Sequence, residues 1–149
     1  MSERGPKSRI LFLCTGNSCR SQMAEGWPRR LKSSQIEPFS AGTDPEDVNP
    51  RALEVMREVG VDISRQRSKH VRELLERTFD YVVTLCGDAR EACPVFPGNT
   101  KLLHVGFEDP AAAGGTEEEV LAVFRKVRDQ IRSLVERLPE SLEQAQKGR

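Results

Sequence analysis

The apolar run Ile10-Leu11-Phe12-Leu13 breaks off into Cys14-Thr15-Gly16-Asn17-Ser18-Cys19-Arg20-Ser21. That junction limits the chain to folds in which a strand turns through a short polar loop into a helix. Successive N–H groups of such a loop converge on one point, and Gly16 and Asn17 tolerate the left-handed backbone that the nest requires. A tetrahedral oxyanion fits at that point, cradled by residues Thr15 to Ser21 over the Cys14 thiol. Arg20 supplies a planar fork for two of its oxygens. The same charge, with the helix N-terminus, is expected to draw the Cys14 pKa well below the ordinary value of about 8.5. Ser21 is expected to donate to the thiolate, and Cys19 to point away from the anion into the core. Taken singly, Cys14 and Arg20 would be an ordinary core residue and an ordinary surface residue. Strand, nest, cysteine, arginine and helix start in this order are what point to anion binding.

The rest of the chain alternates between strand and helix patterns. Strands are predicted at 9–13, 36–41, 79–85 and 100–105, and helices at 21–32, 50–59, 70–77 (short) and 117–138 (long), with a cysteine-bearing segment at 86–93. Asn49-Pro50 reads as an N-cap with proline at the first helical position, and Gly60 as a C-terminal stop. Thr116 with Glu119 forms a capping box, and Pro139 ends the last helix. In that helix Val120, Phe124, Val127, Ile131, Leu134 and Leu138 make one apolar stripe facing the core. The alternation predicts an α/β fold: a single-domain, four-stranded parallel sheet of order 2-1-3-4 with helices on both faces and the loop after strand 1 at the topological switch point. Pro38 suits edge strand 2, whereas Pro28 is expected to remove a hydrogen bond and bend the first helix near Trp27. Residues 1–149 are read as one domain, with 1–8 and 140–149 as flexible tails.

The 23 basic and 23 acidic side chains cancel, so nothing points to nucleic acid or an acidic membrane as a partner. The N-terminal residues contain no apolar export segment and no later stretch approaches 18 apolar residues, so a cytoplasmic protein is expected. In that reducing compartment, four cysteines are more often catalytic, redox-active or metal-binding than cross-linked. Their spacing does not match a zinc site, and neither His70 nor His104 sits in a ligand pattern, so no metal and no cofactor is expected.

The third strand ends in Cys86, which a parallel sheet brings to the same edge as Cys14, so two thiols are expected to face one pocket. Cys93 follows seven residues later. With a helix between them, Cys86 and Cys93 would lie about 10.5 Å apart, beyond the roughly 7 Å Cα reach of a disulfide, and pairing would require unwinding. Unreactive core positions are the other reading of these two residues. Asp109 follows strand 4 to the same edge, either as a general acid for a leaving oxygen or as a turn-forming Asp-Pro pair.

The loop at 14–21 with Gln22-Met23-Ala24-Glu25-Gly26-Trp27, then Phe39-Ser40-Ala41-Gly42, Val48-Asn49-Pro50, Val82-Val83-Thr84-Leu85-Cys86, Cys93-Pro94 and Gly106-Phe107-Glu108-Asp109-Pro110, closely resemble the thioredoxin-coupled arsenate reductases, which share the low-molecular-weight tyrosine phosphatase fold. The resemblance implies that the Cys14 thiolate attacks arsenate held by the loop amides and Arg20, with Asp109 as acid. It implies further that Cys86 then attacks Cys14 and expels arsenite, that Cys93 attacks Cys86 to free Cys14, and that thioredoxin reduces the Cys86–Cys93 disulfide. Without flavin or metal, the two electrons of the reduction have to come from a thiol pair. A monomer is expected, with phosphate as a competing oxyanion. Some members bind potassium through residues matching Asn17, Glu25 and Ser40 plus an aspartate. Lys69 occupies the last position here, and its ammonium would replace the ion. Two alternatives stay open: a phosphatase in which Cys86 and Cys93 protect Cys14 from oxidation, and a redox-sensing oxyanion-binding module without turnover.

Overall fold

A computed structural model of the protein describes residues 7–140. Strands β1 (Ser8–Cys14), β2 (Ile36–Gly42), β3 (Tyr81–Thr84) and β4 (Lys101–His104) form one parallel sheet in the order β2-β1-β3-β4, as the alternation predicts. Between and after them run helices α1 (Arg20–Leu31), α2 (Pro50–Glu58), α3 (Gly87–Glu91) and α4 (Glu117–Glu136), with 3-10 turns at Val71–Leu74 and Pro110–Ala112. β1 takes a central position because Ile10 to Leu13 are apolar on both faces, and all four are fully buried.

Each face of the sheet carries its own apolar cluster. On one, Ile10, Phe12, Val83 and Leu85 meet Met23 and Trp27 of α1, Val55 and Met56 of α2, and Phe124, Val127 and Ile131 of α4. On the other, Leu11, Leu13 and Val82 meet Val71 and Leu74 of the first 3-10 turn, Ala89 of α3, Phe79 and Phe96, with Cys86 and Cys93 packed at its border. The alternating assignment of consecutive β1 residues is the period-two consequence of the strand itself.

The helix limits follow the sequence signals. The Asn49 side chain accepts from Arg51 N at 2.8 Å with Pro50 opening α2, and Gly60 adopts φ 81° just past its end. Both halves of the Thr116–Glu119 capping box are present. Pro28 lies inside α1, which runs on to Leu31 within the expected limits, and the Pro28 carbonyl accepts from Lys32 N at 2.7 Å. Elsewhere the structure departs from the expectations. β1 already begins at Ser8, inside the expected tail, because Ser8 N finds the Gln35 carbonyl at 2.9 Å. The remaining tail residues 1–6 and 141–149 lie outside the described residues. The segment after Cys86 is helical only over Gly87–Glu91, so Cys93 falls beyond α3 and the two-turn separation does not apply.

Candidate active site

β1 delivers Cys14 and α1 starts at Arg20, which leaves five residues to bridge them. The loop is pinned through its carbonyls: Thr43 N donates to Cys14 O, Asp44 N to Thr15 O, Glu46 N to Gly16 O and Asn49 N to Ser18 O, at 2.8–3.2 Å. With the carbonyls turned outward, the N–H groups turn inward. None of those on residues 16–19 has a hydrogen-bond partner among the described residues, which is the condition for an anion nest. They border a cavity of about 150 Å³ lined by residues 14–20 together with Asp44, Glu46, Asp109 and Ala111. The left-handed residue of the loop is Asn17 at φ 49°, whereas Gly16 needs no positive φ. The close approach falls instead on Gly42, where an added Cβ would collide with the Thr15 carbonyl and meet Asn17 at 3.0 Å.

Cys14 lines that cavity and Cys86 does not, contrary to the expectation that both thiols face it, yet the two sulfurs meet. Cys14 Sγ lies 3.7 Å from Cys86 Sγ, and Thr15 Oγ1 lies 3.2 Å from Cys86 Sγ. All four cysteines are free thiols. Their acidities are the reverse of what the loop alone leads one to expect. Burial pushes the Cys14 thiol up to about 12, the Arg20 charge opposing and the neighbouring Cys86 reinforcing the rise. Burial also raises the Cys86 thiol, but hydrogen bonds from Thr15, the Ala89 N–H and Cys14, together with the Arg20 charge, outweigh it and leave Cys86 below its ordinary value. The expected depression of Cys14 fails in the anion-free site because the residue is 3 % exposed and its thiol donates toward Cys86. Of the two neighbouring thiols, Cys86 is the one held below its ordinary value and Cys14 the one pushed above it.

Arg20 reaches the cavity from the first turn of α1. Its Nη1 donates to Phe107 O at 2.9 Å, its Nη2 lies 3.8 Å from Asp109 Oδ2, and its Nε is buried without a partner. A buried donor left unsatisfied costs about 1–3 kcal/mol, which an incoming oxyanion removes. Asp109 is half-exposed at the mouth, and its other oxygen caps the second 3-10 turn by accepting from Ala111 N at 3.0 Å. The turn-forming and acid-bearing readings of Asp109 are therefore compatible.

Behind the loop, Asn17 is fully buried and organises the support. Its Nδ2 donates to Ser21 Oγ at 2.8 Å and Ser40 Oγ at 3.0 Å, its Oδ1 accepts from Lys69 N at 2.9 Å, and its carbonyl accepts from Gln22 and Ser68. Ser21 is thus used in holding Asn17, and among the described residues it makes no hydrogen bond to Cys14, contrary to expectation. Ser40 Oγ donates to the buried Glu25 carboxylate at 2.5 Å, and Lys69 Nζ donates to the Ser40 carbonyl at 2.9 Å. The Lys69 ammonium therefore sits where the resemblance implies it. Burial lowers its pKa while the Glu25 charge opposes.

Cys19 is 4 % exposed and belongs to the core cluster of the α1 face, as expected. Cys93 is half-buried away from the loop, its thiol near the Pro94 carbonyl at 3.6 Å. Sequence reasoning passed over Asp44 and Glu46, which follow β2 to the cavity mouth. Their position just past the C-terminal end of a parallel strand was the available signal.

The family model for low molecular weight phosphotyrosine protein phosphatase matches residues 9–147. An arsenate reductase of Halalkalibacterium halodurans is 49% identical over 135 residues, 91% of this chain and 97% of that one. Among solved structures, an arsenate reductase in the phosphate binding state superposes with a TM-score of 0.70 at 35% identity, over 88% of this chain and 95% of the other. The thioredoxin-dependent arsenate reductase of Corynebacterium glutamicum superposes with a TM-score of 0.63 at 32% identity, over 87% of this chain and 61% of that longer one. With the strand order and the cysteine-to-arginine loop already in place, these similarities make the chain a member of the low molecular weight phosphotyrosine protein phosphatase family, within its arsenate reductase branch.

Proposed function

We propose that the chain, acting as a single cytoplasmic domain and a monomer, reduces arsenate to arsenite through Cys14, Cys86 and Cys93 and is regenerated by thioredoxin. The observation that carries this reading is the 3.7 Å separation of the Cys14 and Cys86 sulfurs beneath the anion loop. A phosphatase needs one thiol there, whereas a two-electron reduction needs a pair. The phosphate-binding state of one related reductase and the thioredoxin dependence of another support the same reading.

In the first step arsenate occupies the nest, with its oxygens on the free loop N–H groups and the Arg20 guanidinium. Cys14 Sγ attacks arsenic. A hydroxide departs and leaves as water with the thiol proton, which Asp109 passes on. In the second step the Cys86 thiolate attacks Cys14 Sγ. The S–S bond forms, the S–As bond breaks, and its electron pair remains on arsenic, which leaves as As(III) and takes up protons from water as arsenite. Cys93 then displaces Cys14 from Cys86, and thioredoxin reduces the resulting Cys86–Cys93 bond.

Cys86→Ser separates this reading from phosphatase action. It is expected to abolish NADPH oxidation in an assay containing arsenate, thioredoxin and thioredoxin reductase, while p-nitrophenyl phosphate hydrolysis through Cys14 persists. Sustained arsenate reduction in that variant sinks the relay.

A further inference from the structure

We propose that His104 takes the proton from the Cys93 thiol when Cys93 attacks Cys86, an inference that rests on the relay reading and adds a fourth residue to it. The topology brings the two together. β3 and β4 pair Thr84 with His104 in register, so their side chains share a face of the sheet. Cys86 lies two residues beyond Thr84 in extended backbone, φ −146° and ψ 159°, and so shares that face too. It is the face on whose apolar cluster Cys86 and Cys93 both border. Thr84, His104, Cys93 and Arg90 line one cavity of about 500 Å³ there.

Cys93 needs such a partner. Its thiol has only the carbonyl of the next residue beside it, at 3.6 Å, and burial pushes its pKa up. A thiol attacks a disulfide only as thiolate, so a proton acceptor within the same cavity supplies what the resting surroundings lack. Of the two histidines, His70 is committed elsewhere, because its Nδ1 accepts from Arg72 N at 2.9 Å as the cap of the first 3-10 turn. His104 is held by one nitrogen, Nδ1, 2.8 Å from Thr84 Oγ1, and the Thr84 hydroxyl is itself directed at the Leu103 carbonyl at 3.5 Å. The step uses the tautomer in which Thr84 donates to the Leu103 carbonyl and Nδ1–H donates to Thr84, which leaves Nε2 its lone pair. Gly106 leaves that nitrogen approachable, since an added Cβ would stand 3.3 Å from Nε2. Arg90 of α3 is the charged group sharing the cavity, and it favours the thiolate once formed.

The step balances without a further reactant. The Cys93 proton passes to His104 Nε2, and the Cys93–Cys86 bond forms as the Cys86–Cys14 bond breaks. The displaced electron pair leaves on Cys14 beside Arg20, and the imidazolium returns its proton to solvent. No net oxidation occurs in this exchange.

Rapid quench of one turnover with thiol trapping and mass mapping tests the proposal. Release of the first arsenite precedes the action of Cys93 and serves as the reference step, while formation of the Cys86–Cys93 disulfide reports the exchange. His104→Gln is expected to slow that disulfide at least tenfold relative to arsenite release, at the low side of the roughly 10²–10⁴-fold that a positioned base supplies. Its pH profile is expected to lose one ionisation, the residual rate rising with pH as the Cys93 thiol ionises unaided. Because the cavity left by His104→Gly can admit a small base, added imidazole is expected to restore the rate in that variant and not in wild type. An unchanged ratio and profile in His104→Gln, or a loss that imidazole leaves untouched, overturns the assignment. If wild type forms no Cys86–Cys93 disulfide at all, the relay itself fails and the His104 role falls with it.

Discussion

At the scale of single residues, the distribution of charge between two thiols decides how the site is poised before substrate arrives. Cys14 is enclosed and raised to about 12, while Cys86 is half-buried, lowered, and hydrogen-bonded by Thr15. The thiol held below its ordinary value is therefore the one that acts second in the proposed relay. In the proposed reaction an oxyanion changes that balance, because it would occupy the free N–H groups, partner the Arg20 Nε that has no partner among the described residues, and receive the Cys14 sulfur directly. Alkylation exposes the difference. With limiting iodoacetamide near neutral pH and no oxyanion present, modification mapped by mass spectrometry is expected at Cys86 ahead of Cys14, increasing as pH rises through the lowered Cys86 pKa, because the thiolate is the reactive form. Preferential labelling of Cys14 under those conditions contradicts the assignment. The sequence could not have disclosed this inversion. It names Cys14 and Arg20 and places them on one loop, but the acidity depends on a sulfur 72 positions away and on how completely the fold encloses each thiol.

Between elements, the packing of α2 against α4 is joined by a charge cluster at its rim. Glu58, at the end of α2, accepts from Arg125 at 2.8–3.3 Å and from Arg128 Nη1 at 3.0 Å, while Arg128 Nη1 also reaches the Val55 carbonyl. The hydrogen bonds from Arg125 lead in holding the Glu58 carboxyl below the usual range. A folded-state pKa below the unfolded value of about 4.3 contributes stability that is present above that value and lost as pH falls through the folded one. Glu58 is 34 % exposed, so solvent screening holds the contribution to about 1 kcal/mol. Glu58→Gln should therefore lower the urea midpoint more at pH 7 than at pH 3, where part of the carboxylate is already protonated in the unfolded chain. An equal loss at both pH values assigns the effect to packing rather than charge. At this scale most of the fold was legible: Asn49, Gly60 and the Thr116–Glu119 pair are local signals whose effect reaches a few residues, and they set α2 and α4 where the structure has them. The reach of α3 was not legible. Its five residues carry no strong cap, since Cys86 provides no side-chain cap bond, and Ala89 is their one buried residue.

Over the whole molecule, the parallel sheet assigns chemistry to one edge and support to the layers. β1 brings Cys14 and β3 brings Cys86 to the same C-terminal edge, and the segment after β4 brings Asp109 to it. The network from Asn17 through Ser40 to Glu25 and Lys69 fixes the loop from behind. Of the three cysteines of the proposed relay, Cys93 stands off this edge, beyond α3 and at the border of the second cluster. In the proposed relay, that placement divides the reaction into a step within the Cys14–Cys86 pair and a step in which Cys93 has to reach Cys86. The spacing led to the expectation of a helix through Cys93, which the five-residue α3 does not provide. Removing the third thiol therefore has a sharp consequence. Cys93→Ala should release one equivalent of arsenite per enzyme at close to the wild-type rate and then stall as the Cys14–Cys86 disulfide, detectable as a mass loss of two hydrogens with both cysteines protected from alkylation. Because Cys93 touches neither the nest nor the Cys14–Cys86 pair, the burst should survive even as turnover with thioredoxin is lost. Continued turnover in Cys93→Ala would mean that thioredoxin attacks the Cys14–Cys86 bond itself, and the division between the two steps would not hold.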